Sequence, residues 1–508
     1  MALGGRRDQS LDRLVSAGVD VLVIGAGAIG ASTAWHAAAA GASVAVVDRG
    51  DLAGGTSSSS SKLVHGGLRY LAMGDLWLVG QAHHERRANA RVLAPHLVWP
   101  LEFVVPALPG SAHPLWRLRA GVILYGALSG FADGRSGGIG LDEARARVPQ
   151  LRTDGLRGAV VYHDHQTHDG RLTLLALQAA AARGALVANH LEVVGLRMHR
   201  GRVAGADLVD RIGGREFGLS ARVVVNASGP WVDGLRRMEA PSAGTSVRLA
   251  KGAHLVLEGG EGWTAAVTTP LPGGRVSFAV PWEGMLLLGT TDEPYQGDPA
   301  QVSATDGDQD QILTEAATAL SSEAVAPERV RSRFAGLRVL PTSGRATSRT
   351  RREVVISRGP GGMVSVAGGK LTTWRLIGAR AAGMALRELG VSGGRELEPL
   401  PGAAPLEQVL EALAGAHPDL DAGVRSHLAR HYGMVALDLL AAAADDPDLL
   451  ARIHPDAPDI RAQVLHARRH EWAATADDVL RTRTTIALRG LDRGPARLAV
   501  EELMARSI

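Results

Sequence analysis

Between Val21 and Val47 the chain carries no Asp, Glu, Lys or Arg. An uncharged run of this length is long enough to cross a bilayer. Behind Arg6-Arg7 it also resembles a twin-arginine leader. Its interior argues against both. Gly25, Gly27, Gly30 and Gly41 divide it into three phases. Val21-Leu22-Val23-Ile24 is a short apolar strand, Ala28 to Ala40 has an alanine-rich helical pattern, and Val44-Ala45-Val46-Val47 is a second strand closed by Asp48. Strand, glycines, helix, strand and acid, in that order, spell a buried βαβ unit. Residues 1–19 then read as a flexible or loosely docked leader.

The glycines have the spacing G-x-G-x-x-G, written Gly25-Ala26-Gly27-Ala28-Ile29-Gly30, and Asp48 follows 18 residues after Gly30. Each position has a physical task. Gly25 makes the tight turn, Gly27 lets a pyrophosphate approach the backbone, and Gly30 lets helix and strand pack closely. The N–H groups of Ala28 and Ile29 open a helix whose positive end attracts phosphate. Asp48 can accept both hydroxyls of an adenosine ribose, with Arg49 beside it, and an acid there disfavours a 2′-phosphate. The expected ligand is a dinucleotide.

Composition narrows the class. At 508 residues, 45% apolar and 21% charged, the chain has room for two or three domains, or one large α/β domain with an appendage. It has no cysteine, which excludes disulfides, thiolate metal sites and a cysteinyl flavin link. No metal site is predicted. A net charge of +3, no basic run and 4% aromatics give no support to nucleic-acid binding. There are three lysines, Lys62, Lys251 and Lys370, against 52 arginines. A compact ammonium differs from a planar guanidinium, so those positions are singled out.

A serine tract follows the second strand and runs into Lys62-Leu63-Val64-His65-Gly66-Gly67-Leu68-Arg69-Tyr70-Leu71. A flexible linker is the ordinary meaning of such a tract, but this one leads into an apolar-patterned segment. Its hydroxyls and N–H groups suit a pyrophosphate and a ribityl chain. The stretch Thr56 to Leu71 resembles the signature of FAD-dependent glycerol-3-phosphate dehydrogenases. Further matches follow in order: Asn226-Ala227-Ser228-Gly229-Pro230-Trp231, Arg248 to His254, Pro281-Trp282 with Leu288 to Asp292, Gly336-Leu337-Arg338, and Gly368 to Thr373. All three lysines lie inside these motifs.

The resemblance implies an α/β protein. A Rossmann-like FAD-binding domain would be interleaved with a mixed-sheet substrate domain of the glycine/D-amino-acid oxidase type, with a C-terminal all-α cap. It implies oxidation of sn-glycerol 3-phosphate to dihydroxyacetone phosphate, with hydride passing from C2 to flavin N5 and electrons to quinone. Cofactor positions carried over are Gly25, Gly27, Ala28, Ile29, Gly30, Asp48, Arg49, Thr56, Ser57, Ser60, Ser61, Lys62, Leu63, His65, Gly66, Ala227, Gly229, Trp231, Lys370, Leu371 and Thr372. Substrate positions are Arg69, Tyr70, His254, Arg338, Arg352 and Lys370. Among these, His254, Arg338 and Lys370 are the catalytic candidates. Arginine forks suit phosphate oxygens, and a neutral imidazole suits proton uptake near pH 7, with His254 the first choice as base and His65 the second. Lys370 serves either the phosphate or the flavin. The chain departs from the resembling segments at His168, where an acid is usual, at Val339 for proline, and at Trp374 for tyrosine.

The expected division is a leader over 1–19, the interleaved oxidoreductase region over 20–398, a linker at 399–404 and a helical domain over 405–508. Arginines of that helical domain either meet anionic lipid headgroups or form a solvated, internally paired face. A cytoplasmic protein, peripheral on the inner face of the cell membrane and homodimeric, is the reading that goes with a quinone acceptor. An oxidase passing electrons to oxygen, a flavoenzyme for another hydroxy or amino acid, and a non-catalytic nucleotide-binding relative are the alternatives.

Overall fold

The computed structural model describes residues 7–16, 18–68, 71, 76–108, 114–342, 354–393, 398–443 and 446–506. Arg69, Tyr70 and Arg352 lie outside the described residues.

Two sheets organise the chain. At the centre of the first, Val19–Ile24 pairs in parallel with Val44–Val47 on one side and with the end of Glu216–Asn226 on the other. Leu186–Ala188 extends the sheet beyond Val44–Val47, and Val364–Gly368 extends it beyond Asn226. Val21 to Val23 and Val44 to Val47 are buried, as a parallel sheet covered on both faces requires. The helix Ala28–Ala39 covers one face together with Asp169–Ala182 and Trp374–Glu388. Its alanines, and Gly378 against Ser32, let these helices approach closely.

The segment expected as a flexible or loosely docked leader is, where described, a docked helix, Arg7–Ser16. Leu11 and Leu14 lie one turn apart and are buried in the second face's core. Arg7 donates to Asp210 at 2.5 Å and to the Asn189 carbonyl at 3.1 Å.

Among the described residues the second sheet has ten strands and is mixed. Its order runs Glu293–Tyr295, Val247–Glu258, Met285–Gly289, Val276–Trp282, Ala265–Pro270, Val98–Pro106, Ala159–Thr167, Leu63–Val64, with Val330–Pro341 also paired along Val247–Glu258 and Gly137–Ile139 along Ala159–Thr167. Leu63–Val64 pairs with Gln166 and His165, so the end of the serine tract is sewn to this sheet. The glycine loop belongs to the first sheet, so the tract bridges the two.

The last hundred residues build a helical domain with its own core, drawn from Leu406–Ala416, Ala422–Tyr432, Val435–Ala441, Ala462–His470 and Pro495–Ala505. Buried polar contacts dock it. Arg171 pairs with Glu471 and donates to the Tyr432 hydroxyl, and Arg483 pairs with Asp51 at 2.5 Å. Other arginines here are matched too: Arg452 with Asp421, Arg461 with Asp448, Arg497 with Asp477 and Arg506 with Asp446. An internally paired face is what these residues form. Among the described residues, no helix is long and apolar enough to cross a membrane.

Candidate active site

The glycine loop forms a cradle with almost no side-chain volume. Gly25 has φ +105°, and a Cβ there would stand 2.6 Å from the Ala227 carbonyl. A Cβ on Gly27 would stand 2.9 Å from Ser57 Oγ. One on Gly30 would run into the Gly25 carbonyl, so glycine is the residue that lets this helix start where it does. Ser57 Oγ accepts the Ala28 N–H at 2.9 Å, which ties the serine tract to the first helical turn.

Asp48 ends the second strand and braces the same loop. Its carboxylate accepts the Ala26 N–H at 2.7 Å and the Gly50 N–H at 2.9 Å. Desolvation in the cleft outweighs these bonds and pushes its pKa up to about 6. Beyond it, the Arg49 guanidinium lies over the Trp231 ring at 5.3 Å, and the buried Trp231 Nε1–H has no hydrogen-bond partner. Gly229 turns the chain there at φ +58°. A bare backbone, a helix start, an acid set for hydroxyls and an unpartnered indole N–H fit a bound dinucleotide.

The other end of the cradle is a second glycine turn. Gly368 and Gly369 have φ +89° and +117°, and a Cβ on Gly369 would meet Ile29 Cδ1 at 2.6 Å. Thr372, in the turn Leu371–Thr373, accepts the His65 N–H and donates to the His65 carbonyl, each at 3.1 Å. Ile29, His65, Gly369 and Thr372, far apart in sequence, therefore meet in one place. Burial holds the His65 imidazole below its ordinary pKa. The nearby Asp164 opposes this, and Lys370 and Arg86 add to it.

Under His65 lies a buried network that the motif reading missed. Asp164 accepts the Gly66 N–H at 2.9 Å, the Arg86 guanidinium at 2.6 Å and the Tyr125 hydroxyl at 2.8 Å. Asp164 is 2% exposed and Arg86 2%, so this network fixes the Gly66 backbone from below. The available signal was an acid in a strand that opens on the apolar run Ala159-Val160-Val161-Tyr162, where a carboxylate carried inside needs a buried partner.

His254 and Arg338 arrive from paired strands, in which Ala250 faces Arg338 and His254 faces Phe334. The His254 ring stacks on Phe334 with centroids 5.0 Å apart, and its Nε2 lies 2.8 Å from Ser61 Oγ. Burial, then Arg338 and Lys62, push its pKa down to about 3, so the imidazole is neutral. Arg338 donates to Thr290 Oγ1 at 3.0 Å, to the Thr291 carbonyl at 3.1 Å and to Asp292 at 3.3 Å. The Thr56 hydroxyl donates to the Leu337 carbonyl at 2.9 Å, so the serine tract touches this strand too.

Several tract residues have protein partners of their own. Lys62 is 1% exposed, and its ammonium lies 2.7 Å from Asp169 and 3.2 Å from the Ser58 carbonyl. Ser60 donates through N and Oγ to the same carboxylate, at 3.0 and 2.7 Å. Short side chains in a tight loop reach its own anchor first. The tract is a tied scaffold in which Lys62 and Ser60 grip Asp169, Ser57 grips Ala28 and Ser61 grips His254. Leu63 is buried in the sheet-edge core.

A parallel-sheet glycine cradle joined to a mixed sheet of convergent polar side chains defines a flavin-dependent oxidoreductase. The family model described as FAD dependent oxidoreductase matches residues 20–375, and that described as the C-terminal domain of alpha-glycerophosphate oxidase matches residues 396–508. A glycerol-3-phosphate dehydrogenase of Synechocystis sp. is 33% identical over 94% of this chain and 91% of its own. One of Mycobacterium leprae is 34% identical over 97% of this chain and 86% of its own. The solved glycerol-3-phosphate dehydrogenase of Bacillus halodurans complexed with FAD superposes with a TM-score of 0.77 at 28% identity, covering 97% of this chain and 91% of that one. Glycine oxidase of Bacillus cereus shares the fold at a TM-score of 0.52 and 20% identity, covering 73% of this chain and 95% of its own. The chain belongs to the FAD-dependent glycerol-3-phosphate dehydrogenase family, and its cofactor is FAD.

Proposed function

We propose that this protein oxidises sn-glycerol 3-phosphate to dihydroxyacetone phosphate and passes the electrons to quinone. The observation that carries this reading is the meeting of His254, Ser61 and Arg338 beside the nucleotide cradle, in a chain alike to named glycerol-3-phosphate dehydrogenases over nearly its whole length. Bound FAD supplies the acceptor, at N5, for the hydride that leaves C2. The chain's residues do the rest. Gly25 to Gly30, Asp48 and Trp231 hold the dinucleotide, and Thr372 with the Asp164 network fixes His65 and Gly66. Arg338, pinned by the Thr290 hydroxyl and the Thr291 carbonyl, offers a set fork to the phosphate. Arg69, Tyr70, Arg352 and Lys370 complete the substrate's surroundings in this reading.

His254 takes the C2 hydroxyl proton. Burial, and after it the positive charges of Arg338 and Lys62, hold its proton affinity low. A phosphate dianion arriving at Arg338 cancels that positive potential and raises the affinity when a base is needed.

The quinone acceptor calls for contact with a bilayer surface. The helices Leu76–Ala88 and Leu115–Leu128 pack together and expose Leu76, Trp77, Trp116 and Leu124, with Trp116 at 72%. Arg117 and Arg119 are exposed beside them. Tryptophan with flanking arginine suits a headgroup region, which supports a peripheral, cytoplasmic-face placement there rather than on the helical domain. A homodimer belongs to the same reading.

Anaerobic titration of the FAD-loaded protein with glycerol 3-phosphate tests the substrate. The visible flavin band should bleach fully. Bleaching by an amino acid or another hydroxy acid, with none by glycerol 3-phosphate, overturns the reading. Comparing quinone reduction with peroxide yield in air tests the acceptor.

A further inference from the structure

The C-terminal domain meets the substrate sheet at a buried polar cluster that the oxidation does not use. Glu283 forms the tip of the hairpin between Val276–Trp282 and Met285–Gly289. It has φ +47°, and Gly284 follows at +79°. A residue with a Cβ is uncommon in that conformation, and the turn sends the carboxylate into the domain interface. Opposite stand His427 and His431, one turn apart on Ala422–Tyr432 and so on one face. Glu283 Oε1 is 2.6 Å from His431 Nε2, and Oε2 is 3.3 Å from His427 Nδ1. One donor atom from each of the three residues lies within 4.8 Å of the others. Their side chains are 11%, 2% and 2% exposed.

We propose that Glu283, His427 and His431 form a structural site for a divalent transition-metal ion of the zinc class, which clamps the helical domain to the substrate sheet. Two observations go beyond proximity. The first is a supporting carboxylate. His427 Nε2 lies 3.1 Å from Asp459 Oδ1, and Asp459 is itself held by the Thr485 N–H at 2.9 Å and the Thr485 hydroxyl. An imidazole that donates one N–H to an anchored carboxylate presents its other nitrogen, in a fixed direction, to a metal. Here that nitrogen is Nδ1, the atom facing Glu283. The second is an unpartnered donor. His168 is 4% exposed, its ring lies 4.5 Å from that of His431, and neither of its nitrogens has a hydrogen-bond partner. Buried polar atoms are nearly always satisfied. A turn of that ring toward the cluster makes His168 the fourth ligand of a tetrahedral site. His168 also stands where the resembling segment carries an acid, which makes the fourth ligand a feature of this sequence.

The donor set chooses the ion. Two or three imidazoles with one carboxylate suit zinc and its neighbours, not calcium or magnesium, which prefer oxygen throughout. Donors around a tetrahedral zinc stand about 3.4 Å apart, so the gaps of 2.6 and 3.3 Å need to open by less than an ångström. A metal on His427 Nδ1 takes the place of the proton that this nitrogen would otherwise share with Glu283, while the Nε2–H stays on Asp459. Arg489, 3.4 Å from Glu283 Oε2, competes for the same carboxylate and limits affinity.

The test uses the full-length, FAD-loaded protein. It is stripped with chelator, equilibrated with Zn²⁺ or Co²⁺, desalted, and assayed by inductively coupled plasma mass spectrometry. The wild type should retain about one zinc per chain, and the Co²⁺ form should show the visible absorption of tetrahedral cobalt. His427→Gln with His431→Gln should lose the metal while keeping the flavin spectrum, which confirms folding. Zn²⁺ should raise the unfolding temperature of the wild type and not of the double variant. Wild-type protein that retains no zinc, or a flavin-loaded double variant that retains as much as the wild type, overturns the proposal.

Discussion

Replacing Lys62 by methionine separates two roles that its motif allows, cofactor contact and internal brace. Its ammonium sits 2.7 Å from Asp169, and the two side chains are 1% and 0% exposed. Removing one partner of such a pair strands a buried charge, which costs about 3–5 kcal/mol. Asp169 keeps the Ser60 N–H, the Ser60 hydroxyl and the Gly170 N–H, so the lower end, about 3 kcal/mol, is expected here. Adding Asp169→Asn neutralises the stranded charge and should recover most of the loss. The assay is urea unfolding followed by tryptophan fluorescence, with and without FAD, alongside the FAD dissociation constant. Lys62→Met should destabilise the flavin-free protein as much as the loaded one, and the double variant should restore it. The reasoning fails if Lys62→Met leaves the flavin-free protein as stable as wild type while FAD binding weakens by a comparable free energy.

Three further outcomes are expected. Gly27→Ala should abolish tight FAD binding, and adding Ser57→Ala, which removes the Oγ that the new Cβ would meet at 2.9 Å, should restore thermal stability but not flavin retention. Recovery of the flavin would show that Ser57, not the pyrophosphate, required glycine. Arg338→Ala should lower kcat/KM by about 2–3 kcal/mol, or roughly 30- to 150-fold, as a charge-assisted fork in a site open to some solvent. Arg338→Lys should recover only part, and an equal effect on glycerol, which lacks the phosphate, would refute the assignment. His83 and His165 are pushed down to about 4, and His96 and His254 to about 3, each chiefly by burial. A histidine depressed from 6.5 stabilises the fold above that pH and loses this stabilisation as pH falls toward its folded value. Urea midpoints should therefore drop steeply between pH 6.5 and 4. His96→Gln should reduce the slope by up to about 1.4 kcal/mol per pH unit, and an unchanged slope would contradict its burial as a neutral group.

The βαβ unit was legible because each of its signals is local. Apolar runs, glycine spacing and the closing acid lie within 28 residues, Val21 to Asp48, and the structure repeats them strand for strand. The helical domain was legible for the same reason, through periodicity and Pro399-Leu400-Pro401-Gly402. The leader was not, because two leucines in a charged decapeptide form a helix only when a core receives them. The Asp164 network was hidden because a buried acid declares itself only through partners such as Arg86 and Tyr125, 78 and 39 positions away. The Glu283–His427–His431 cluster was missed because its parts lie 144 and 148 positions apart. Nothing but the docking of two domains brings them together.

The scarcity of lysine singles out three positions, and the structure gives two of them an internal ion pair. Lys62 fills a fully buried slot against Asp169, between Trp282 at 5.9 Å and Phe334 at 5.7 Å from its nitrogen. Lys251 reaches Asp308 at 2.7 Å, a carboxylate that also accepts from Thr291 and Thr305. A guanidinium is planar and wider than an ammonium, and needs acceptors spread across its fork. Around Lys62 the aromatic walls leave room for a point charge, whereas Lys251 lies between two carboxylates, Asp308 at 2.7 Å and Glu293 at 3.3 Å. In a chain that otherwise uses arginine, selection for a narrow cation slot keeps lysine as surely as selection for a ligand does. Motif membership therefore located these residues without fixing their work. Two of the three hold the scaffold that carries Ser61, His254 and Arg338, and the charge of the third, Lys370, is felt by His65.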